Sequence, residues 1–441
     1  MALFATPLGG NVNAQLVGST LLLTGDALDN QIAVFSAAGG TIAVLGNNTT
    51  INGGVTPFVT TRPVTTIVAN LNAGNDYIAF SNDATGLGSQ LSSLGITLTP
   101  PFNAGALQSA IDKVNGGVTT FSVPGSVTVT TGAGDDVVSI IGTVGGSVAA
   151  NLGSAIPDSK NGNRFAIGNP SAPSVSSRVG GSMSVVGGDQ IDAILVTGTD
   201  VGGVVSAALG NGENLALTRG NGSTFGGFAY TGGKGDDYVF LEDAPTIRNG
   251  VSVYTGAQGE DRVEVRATAI GGDMVVNTGA GAGNDYVEVA SGIRGGLTVI
   301  TGAGQDRVSV ASDIGGGVSV IAGDGGDSVR VEPRTIIGGG LTVNSGAGDD
   351  SIGCFTTTVA LNTVIDAGMG NDAVSCEGLT TRSNLFVYLG PGNDQLELYN
   401  VRAFAAFLYG GTGTNSLTTN AATRSGIRTL KCFQFQTVNN V

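Results

Sequence analysis

The sequence predicts an all-β fold: a parallel β-helix, or β-solenoid, with coils of about 21–24 residues. A strand, a glycine-rich turn, an aspartate and a second strand recur at that interval along most of the chain. Apolar and polar residues alternate within the strands, and 75 glycines among 441 residues supply sharp turns between them. Each coil of such a repeat buries its apolar face against its neighbours, so one elongated domain is expected.

The alternation assigns an inward face to each strand. In LTVITG, Leu297 and Val299 share one face, and in the strand after the turn Val308 and Val310 do the same. Equivalent residues of successive coils should therefore stack in apolar columns. The two columns expected at the centre of the repeat are Val299, Val320 and Val343, and Val308, Val329 and Ile352.

The regularity of the repeat divides the single solenoid domain of residues 1–441 into parts. Residues 1–60 carry degenerate N-terminal coils, and residues 231–398 carry the most regular repeats. Residues 399–441 are expected to form C-terminal coils or a cap. Two segments, 82–122 and 154–177, interrupt the repeat and are interpreted as insertions, with a helical pattern only in GALQSAIDKV of the first.

One aspartate follows the glycine-rich turn in every regular coil. Degenerate copies place Asp76, Asp136 and Asp192 at this position, and Asn30 and Asn415 take it at the two ends. Stacked coils would bring these side chains into one column. The candidate metal-binding residues of this column are Asp237, Asp261, Asp285, Asp306, Asp327, Asp350, Asp372 and Asp394.

A column of ionised carboxylates needs something to offset its repulsion. Equivalent positions of neighbouring coils lie about 4.8 Å apart, and neighbouring charges repel by about 1 kcal/mol even in water. Calcium could bridge the carboxylates, because it binds carboxylate and carbonyl oxygens. Alternatively, each aspartate could cap its own turn by accepting backbone N–H bonds, or the carboxyl pKa values could be raised.

The turn resembles the nonapeptide G-G-x-G-x-D-x-U-x of RTX proteins, the haemolysin-type calcium-binding repeats of secreted bacterial β-solenoids. In TGAGQDRVS, Gly302, Gly304, Asp306 and Val308 match four positions of that motif. The resemblance implies calcium as a cofactor, held along the aspartate column. This chain departs from the family because the motif occurs once per coil and its first glycine is replaced.

The amino-acid composition excludes several classes of active site and partner. The chain has no His and no Trp, so catalysis that requires histidine and His-ligated zinc are excluded. A net charge of −15 argues against nucleic acid as a partner, and no apolar run is long enough to span a membrane. The start, MALFATPLGG, lacks the features of a signal peptide, so the export route is not visible.

These observations favour a non-enzymatic structural or adhesive β-solenoid, located outside the cell or on its surface. The expected partners are other copies of the chain, joined end to end or through terminal strands, and cell-surface polysaccharide. The alternative is a carbohydrate-active β-helix enzyme of the polysaccharide lyase or hydrolase type. Its cleft would lie in the interrupted region, around Asp158, Lys160, Arg164 and Asp192, and convergence of the two insertions over one strand face would favour this alternative.

Two smaller patterns complete the prediction. Cys354 and Cys376 lie four residues after a column aspartate, so they should stack in adjacent coils as a buried thiol pair or a disulfide. Charged side chains line the outward face of the strands after the turn, as a salt-bridge ladder or a carbohydrate site that Tyr238 and Tyr286 could complete. These charged residues are Arg262, Arg307, Arg330, Glu264, Glu288 and Glu397.

Overall fold

The protein is a parallel β-solenoid, as the repeat predicts. The computed structural model describes residues 9–96, 103–154, 162–172, 176–220, 222–243 and 245–440. Strands account for 52% of the described residues and helices for 7%, and stacked parallel coils form the solenoid. The described residues divide into two compact units, one up to residue 232 with 241–246, the other 233–240 with 247 onwards.

Two sheets run through each unit. We call the strands that lead into the glycine-rich turn the upstream sheet and the strands that follow the turn the downstream sheet. In the first unit the upstream strands are Asn11–Val17, Thr20–Thr24, Thr66–Asn70, Val127–Thr130, Val148–Asn151, Met183–Val186, Thr199–Gly210 and Thr224–Gly232. The downstream strands are Gln31–Ala37, Thr41–Gly46, Phe58–Val59, Tyr77–Phe80, Val137–Ile140, Asn163–Ile167, Asp192–Thr197 and Asn214–Arg219. Shorter strands are Thr50–Ile51, Phe121–Val123, Gly142–Val144 and Ser177–Val179.

The first 60 residues form hairpins as well as coils. Asn11–Val17 pairs antiparallel with Thr20–Thr24, and Gln31–Ala37 pairs antiparallel with Thr41–Gly46. Gly18 has a φ of 63°, which lets the first pair reverse direction in two residues. The degenerate sequence of this region therefore departs from the parallel coils that were expected for it.

Two helices occupy the first insertion. Helix α1 (Ala84–Ser93) and helix α2 (Ala104–Val114) begin after Asp83 and Asn103, whose side chains each accept a backbone N–H of the first turn. They pack on the outer face of the downstream sheet through two apolar clusters. These clusters contain Leu87 and Leu91 with Tyr77, Ala79 and Val137, and Ala110 and Ile111 with Phe35 and Leu45. The sequence predicted α2 but not α1.

The second unit is the most regular part of the chain. Its upstream strands are Val251–Tyr254, Met274–Asn277, Leu297–Ala303, Val318–Asp324, Leu341–Ala347, Thr363–Asp366, Asn384–Tyr388, Ala403–Tyr409 and Ile427–Phe433. Its downstream strands are Arg262–Val265, Tyr286–Val289, Arg307–Val310, Ser328–Val331, Ser351–Phe355, Ala373–Glu377, Gln395–Tyr399, Ser416–Thr419 and Thr437–Asn440. Short strands at the opposite corner are Ala269–Ile270, Ile336–Ile337, Thr358–Val359 and Thr380–Thr381, and helix α3 is Ala421–Gly426. Two further strands, Asp237–Leu241 and Thr246–Ile247, contain residues of both units.

The predicted apolar columns form the core of the second unit. Val299 pairs with Val320 and Val320 with Val343, all fully buried, which confirms the first column. The second column is confirmed in the same way by the pairing of Val308, Val329 and Ile352. At the opposite corner Ile270, Ile293, Ile314 and Ile337 stack in register. None of the helices in the described ranges is long and apolar enough to cross a membrane.

Candidate functional site

The predicted aspartate column exists, and hydrogen bonds between coils hold it together. In the second unit, one carboxyl oxygen of each column residue accepts the backbone N–H of the column residue in the preceding coil. The Asp237 N–H donates to Asp261 Oδ1 at 2.8 Å, and the Asp306 N–H donates to Asp327 Oδ1 at 2.8 Å. The continuous ladder contains Asp237, Asp261, Asp285, Asp306, Asp327, Asp350, Asp372, Asp394, Asn415 and Gln436.

The first unit contains the same ladder with more amides. The Asn30 N–H donates to Asp76 Oδ1 at 2.7 Å, and the Asp76 N–H donates to Asp136 Oδ1 at 2.8 Å. Its members are Asn30, Asp76, Asp136, Asn163, Asp192 and Asn214. Sequence reasoning missed Asn163, Asn214 and Gln436. A signal existed for Asn214, because Gly210 and Gly212 precede it at the spacing of the regular turns.

In the second unit the ladder differs from capping of a turn by its own aspartate, which was one of the alternatives for this column; in the first unit Asp192 also accepts the Gly188 N–H of its own turn. A capping aspartate would accept an N–H of its own turn. In the second unit, the donor is instead the backbone N–H of a residue 21–24 positions before the aspartate, in the preceding coil. Each hydrogen bond therefore joins two coils, in addition to the parallel strand pairing on either side. The column stabilises the stacking of coils more than the shape of a single turn.

The second carboxyl oxygen of each aspartate is the unusual part of the column. The eight aspartates of the second unit are between 0 and 5% exposed. Where Thr255 or Thr278 precedes the turn, its hydroxyl donates to the second oxygen of Asp261 or Asp285. Where alanine or leucine takes that position, the second oxygen has no hydrogen-bond partner among the described residues. This is the case for Asp327, Asp372 and Asp394.

This burial raises the pKa values of the column carboxyl groups. Desolvation, and then the charge of neighbouring column residues, raises the pKa of Asp285, Asp327 and Asp372 to about 7. Desolvation raises the pKa of Asp261 to about 6 and that of Asp76 to about 8. A protonated carboxyl has the same shape as an amide and also offers one donor, so it can replace asparagine in the ladder.

The asparagines of the column show which acceptor the O–H of a protonated aspartate could reach. The Asn415 Nδ2 donates to the carbonyl oxygen of Gly410 at 2.7 Å, and the Asn214 Nδ2 donates to Gly210 at 3.0 Å. Both acceptors belong to the turn before the column residue. A protonated aspartate at the same position can direct its O–H towards the same carbonyl group.

The glycines of the turn bring successive coils together. Gly323 and Gly346 have φ values of 114° and 101°, which side chains rarely tolerate. A Cβ on Gly323 would overlap the carbonyl oxygen of Gly302, and a Cβ on Gly346 would overlap that of Gly323. The turn carbonyls therefore pack closely against the glycines of the next coil.

The donor set does not fit the calcium sites that the RTX resemblance implies. Calcium takes six to eight oxygen ligands. The column offers one aspartate per coil, with one oxygen already bound to an N–H, and its turn carbonyls contact glycine backbone. Across the described ranges, no three Asp, Glu, His or Cys side chains form a group that could hold a metal ion. Calcium binding stays a prediction that rests on the resemblance.

The outward charges form local clusters instead of one ladder. Glu264 is 3% exposed and lies between Arg262 and Arg266, and Arg266 also reaches Glu288 at 3.1 Å. The Tyr286 ring lies 4.8 Å from the Arg262 guanidinium, which covers one of its faces. Tyr286 therefore belongs to this salt-bridge cluster and does not offer an open sugar platform.

The two stacked cysteines are a buried pair of free thiols. Cys354 and Cys376 are paired in register on neighbouring strands and have no exposed surface. Contact with Cys354, and then burial, raises the pKa of the Cys376 thiol. The alternative of a disulfide does not occur in this structure.

The two insertions meet on the outer face of the first unit. The Asn169 side chain donates to Asp83 Oδ2 at 3.1 Å, and the hydroxyl groups of Ser89 and Ser171 lie 2.9 Å apart. The Gln90 amide donates to the carbonyl oxygen of Gly168 at 2.6 Å. Helix α1 and the segment 168–172 thus form one wall, next to two downstream strands.

A groove of about 360 Å³ lies between this wall and the strands. Leu195 and Leu217 contribute apolar surface, and Arg219 and Asp243 contribute charge. Arg219 forms a salt bridge with Glu242 at 3.1 Å, and Asp243 has a φ of 55°, which is uncommon for a residue other than glycine. We call this feature the insertion groove.

The cleft predicted from sequence was centred on Asp158, Lys160, Arg164 and Asp192. Of these, Arg164 and Asp192 are described, and neither lines the insertion groove. Asp192 is a buried member of the column, where its carboxylate accepts the Gly188 N–H at 2.8 Å, so it does not face the groove. Arg164 lies on a downstream strand and interacts electrostatically with Asp192. Asp158 and Lys160 lie outside the described residues.

The last three upstream strands carry an aromatic surface that the sequence analysis did not identify. Tyr388, Tyr409 and Phe433 stack at 5.0 and 4.9 Å between ring centroids, and Phe386 stacks on Phe407 at 5.2 Å. We call these residues, with the exposed Phe404, the aromatic patch.

Cations lie directly on this patch. The Lys431 ammonium is 5.9 Å from the Phe407 ring, and the Arg428 guanidinium is 5.5 Å from the Phe404 ring. Residues 399–441 contain four basic side chains and no Asp or Glu. With a net charge of −15 for the whole chain, the 398 preceding residues carry −19.

Comparisons with protein-family models, with curated proteins and with solved structures gave no match for this chain.

Proposed function

We propose that this chain is a non-enzymatic structural and adhesive β-solenoid that works outside the cell and assembles with other copies of itself. The aromatic patch is the observation that supports this proposal best. Exposed apolar patches rimmed by polar residues are typical of interaction sites, and aromatic residues and Arg are enriched in interfaces. A stack of three rings with cations beside it matches that composition.

Charge complementarity favours a second copy of the chain as the occupant. All 34 acidic residues precede residue 399, together with 15 of the 19 basic residues. Eleven of these acids are the buried column aspartates, and without them the first 398 residues still carry a formal charge of −8. The cationic, aromatic C-terminal coils of one copy would dock on this acidic remainder of the next, in a head-to-tail contact.

Self-association should therefore depend on charge. We expect sedimentation analysis of the full chain to show association at low ionic strength that weakens at high salt, because exposed charges are screened. Replacing Arg428 and Lys431 with Glu should weaken the association by about tenfold or more. The matched control is Arg294→Glu, which changes an exposed charge outside the patch. A wild-type protein that is monomeric at both salt concentrations, or an equal effect of the control, would refute this assembly.

The insertion groove favours a second candidate, a carbohydrate-active enzyme. The two insertions meet over one strand face, Asp243 lines the groove, and Glu242 forms a salt bridge with the groove residue Arg219. Glycosidases use two carboxylates on opposite sides of the scissile bond. Here Glu242 already pairs with Arg219, which leaves Asp243 as the carboxylate free of that salt bridge.

A direct assay separates the two candidates. We expect no new reducing ends and no unsaturated products when the full chain is incubated with a panel of plant, algal and bacterial polysaccharides. Product formation that Asp243→Asn removes, and that the exposed control Asp313→Asn retains, would establish the enzyme instead. Product formation that both variants retain would point to a contaminating activity and would leave the structural proposal in place.

A further inference from the structure

The outer face of the downstream sheet in the second unit contains a notch that neither the column nor the aromatic patch uses. Its floor consists of small side chains in two successive coils. Ser351 pairs in register with Ala373, and Gly353 pairs with Ser375. Larger side chains stand in the coils on either side, so a depression of about 230 Å³ remains between them.

Arg330 and Phe355 form one wall of the notch. Arg330 lies in register with Gly353, and its guanidinium is 4.3 Å from the Phe355 ring centroid. A Cβ on residue 353 would collide with that ring, so glycine is what allows Phe355 to lie across the strand. Arg330 also bonds Glu332 through Nε at 2.8 Å. The wall is therefore held in place before any ligand arrives.

Gln395 and Glu397 form the opposite wall. Glu397 lies in register with Ser375, and both wall residues are exposed. Arg330 and Glu397 belong to coils three steps apart, but Phe355 lies across Gly353 in the coil after Arg330. The open part of the notch therefore spans two steps, about 10 Å at about 4.8 Å per step, which leaves room for one or two sugar rings along the solenoid axis.

The charges of the notch indicate the class of ligand. Arg330 is already paired with Glu332, whereas Glu397 forms no salt bridge among the described residues. The surroundings are thus slightly acidic, as is the chain, which disfavours a polyanion. Carboxylate, amide and guanidinium groups are suited to pairs of neighbouring hydroxyl groups, because they accept or donate two hydrogen bonds in one plane.

We propose that this notch binds a neutral, hydroxyl-rich oligosaccharide. Glu397 and Gln395 bind hydroxyl groups at one end, and Arg330 donates to oxygens at the other. Phe355 provides apolar surface for the C–H groups of a ring, and the serines of the floor complete the contacts. This inference rests on the proposed adhesive function, for which it names the ligand class and the site.

The test begins with an array of immobilised neutral and acidic oligosaccharides, probed with the full chain. We expect retention on neutral glycans. The neutral glycan with the strongest signal is then titrated by calorimetry into the wild type and into variants. Arg330→Ala and Glu397→Gln should each weaken binding about tenfold. Ser375→Tyr should abolish it by filling the floor. Arg307→Ala, which removes a cation from the same sheet face outside the notch, should leave it unchanged.

Three outcomes would refute oligosaccharide binding at the notch. These are no retention on neutral glycans, retention on acidic glycans alone, and binding of a neutral glycan that Ser375→Tyr leaves intact. Far-ultraviolet circular dichroism of each variant shows whether it folds, and the outward position of residue 375 predicts that it does. Sedimentation of the same samples separates the two proposals. A wild type that self-associates but binds no neutral glycan refutes the notch alone, whereas a wild type that binds neutral glycan but does not self-associate refutes the assembly alone.

Discussion

Raising the pH from about 4 to about 9 is expected to lower the melting temperature of this protein steeply. Asp285, Asp327 and Asp372 have folded-state pKa values of about 7, above the value of about 3.9 for an unfolded chain. The folded protein then holds more protons than the unfolded protein, so each rise in pH favours unfolding.

The size of the effect follows from the number of protons retained. Each one contributes a slope of about 1.4 kcal/mol per pH unit where the two states differ in protonation. The stabilisation is complete below about pH 4 and is lost as the pH rises through about 6 for Asp261 and about 7 for the three other aspartates. Thermal melts over this range measure it directly.

A single substitution tests the origin of this dependence. Asp327→Asn should raise the melting temperature at pH 8 and leave it nearly unchanged at pH 4, because an amide replaces the protonated acid without a charge. We expect a gain on the order of 4 kcal/mol in the free energy of unfolding at pH 8, because the folded and unfolded pKa values are about 7 and 3.9 and each pH unit between them contributes about 1.4 kcal/mol. Asp313→Asn is the matched control, because it removes an exposed charge that is not in the column.

The opposite result would favour calcium. A calcium-stabilised column should lose stability when Asp327 becomes Asn, and excess chelator should lower the melting temperature at neutral pH. The protonated ladder predicts that the chelator has no effect. A flat pH profile together with chelator sensitivity would therefore refute the ladder of protonated acids.

Much of the fold was predictable because the same pattern of strands and turns recurs in every regular coil. The inward positions of Val299, Val320 and Val343 follow from an alternation that recurs in every coil. Helix α1 was missed because Gly86 and Gly88 lower its helix propensity, and the packing of Leu87 and Leu91 on a strand face compensates for this. Tertiary contact decided the structure of that segment.

The candidate site was only half predictable, for a physical reason. The glycine spacing places Asp327 in a column, but its N–H donor belongs to Asp306, which only the stacking of coils brings near. The protonation of the carboxyl group depends on burial, which no local pattern reports. The aromatic patch escaped detection in the same way, since Tyr388, Tyr409 and Phe433 are 21 and 24 residues apart and meet only through strand register.

Replacing Val320 with Asp should unfold the central coils of the second unit. Val320 is fully buried between Val299 and Val343, where an aspartate finds apolar side chains. Asp327 tolerates burial because the Asp306 N–H binds one oxygen, and because burial raises its pKa to about 7, so that the carboxyl group can take up a proton near neutral pH. The backbone N–H groups around residue 320 are engaged in strand pairing, so no comparable donor compensates the charge.

We expect Val320→Asp to cost more than about 4 kcal/mol, against about 1 kcal/mol or less for Ser319→Asp, which places the same charge on the outer face of the same strand. Urea denaturation followed by circular dichroism measures both. Each coil contacts only its neighbours, so the loss should spread from this point to adjacent coils and appear as faster amide exchange around residues 297–347. A Val320→Asp protein with the wild-type denaturation midpoint would contradict the inward register of this strand, and with it the packing of the apolar columns.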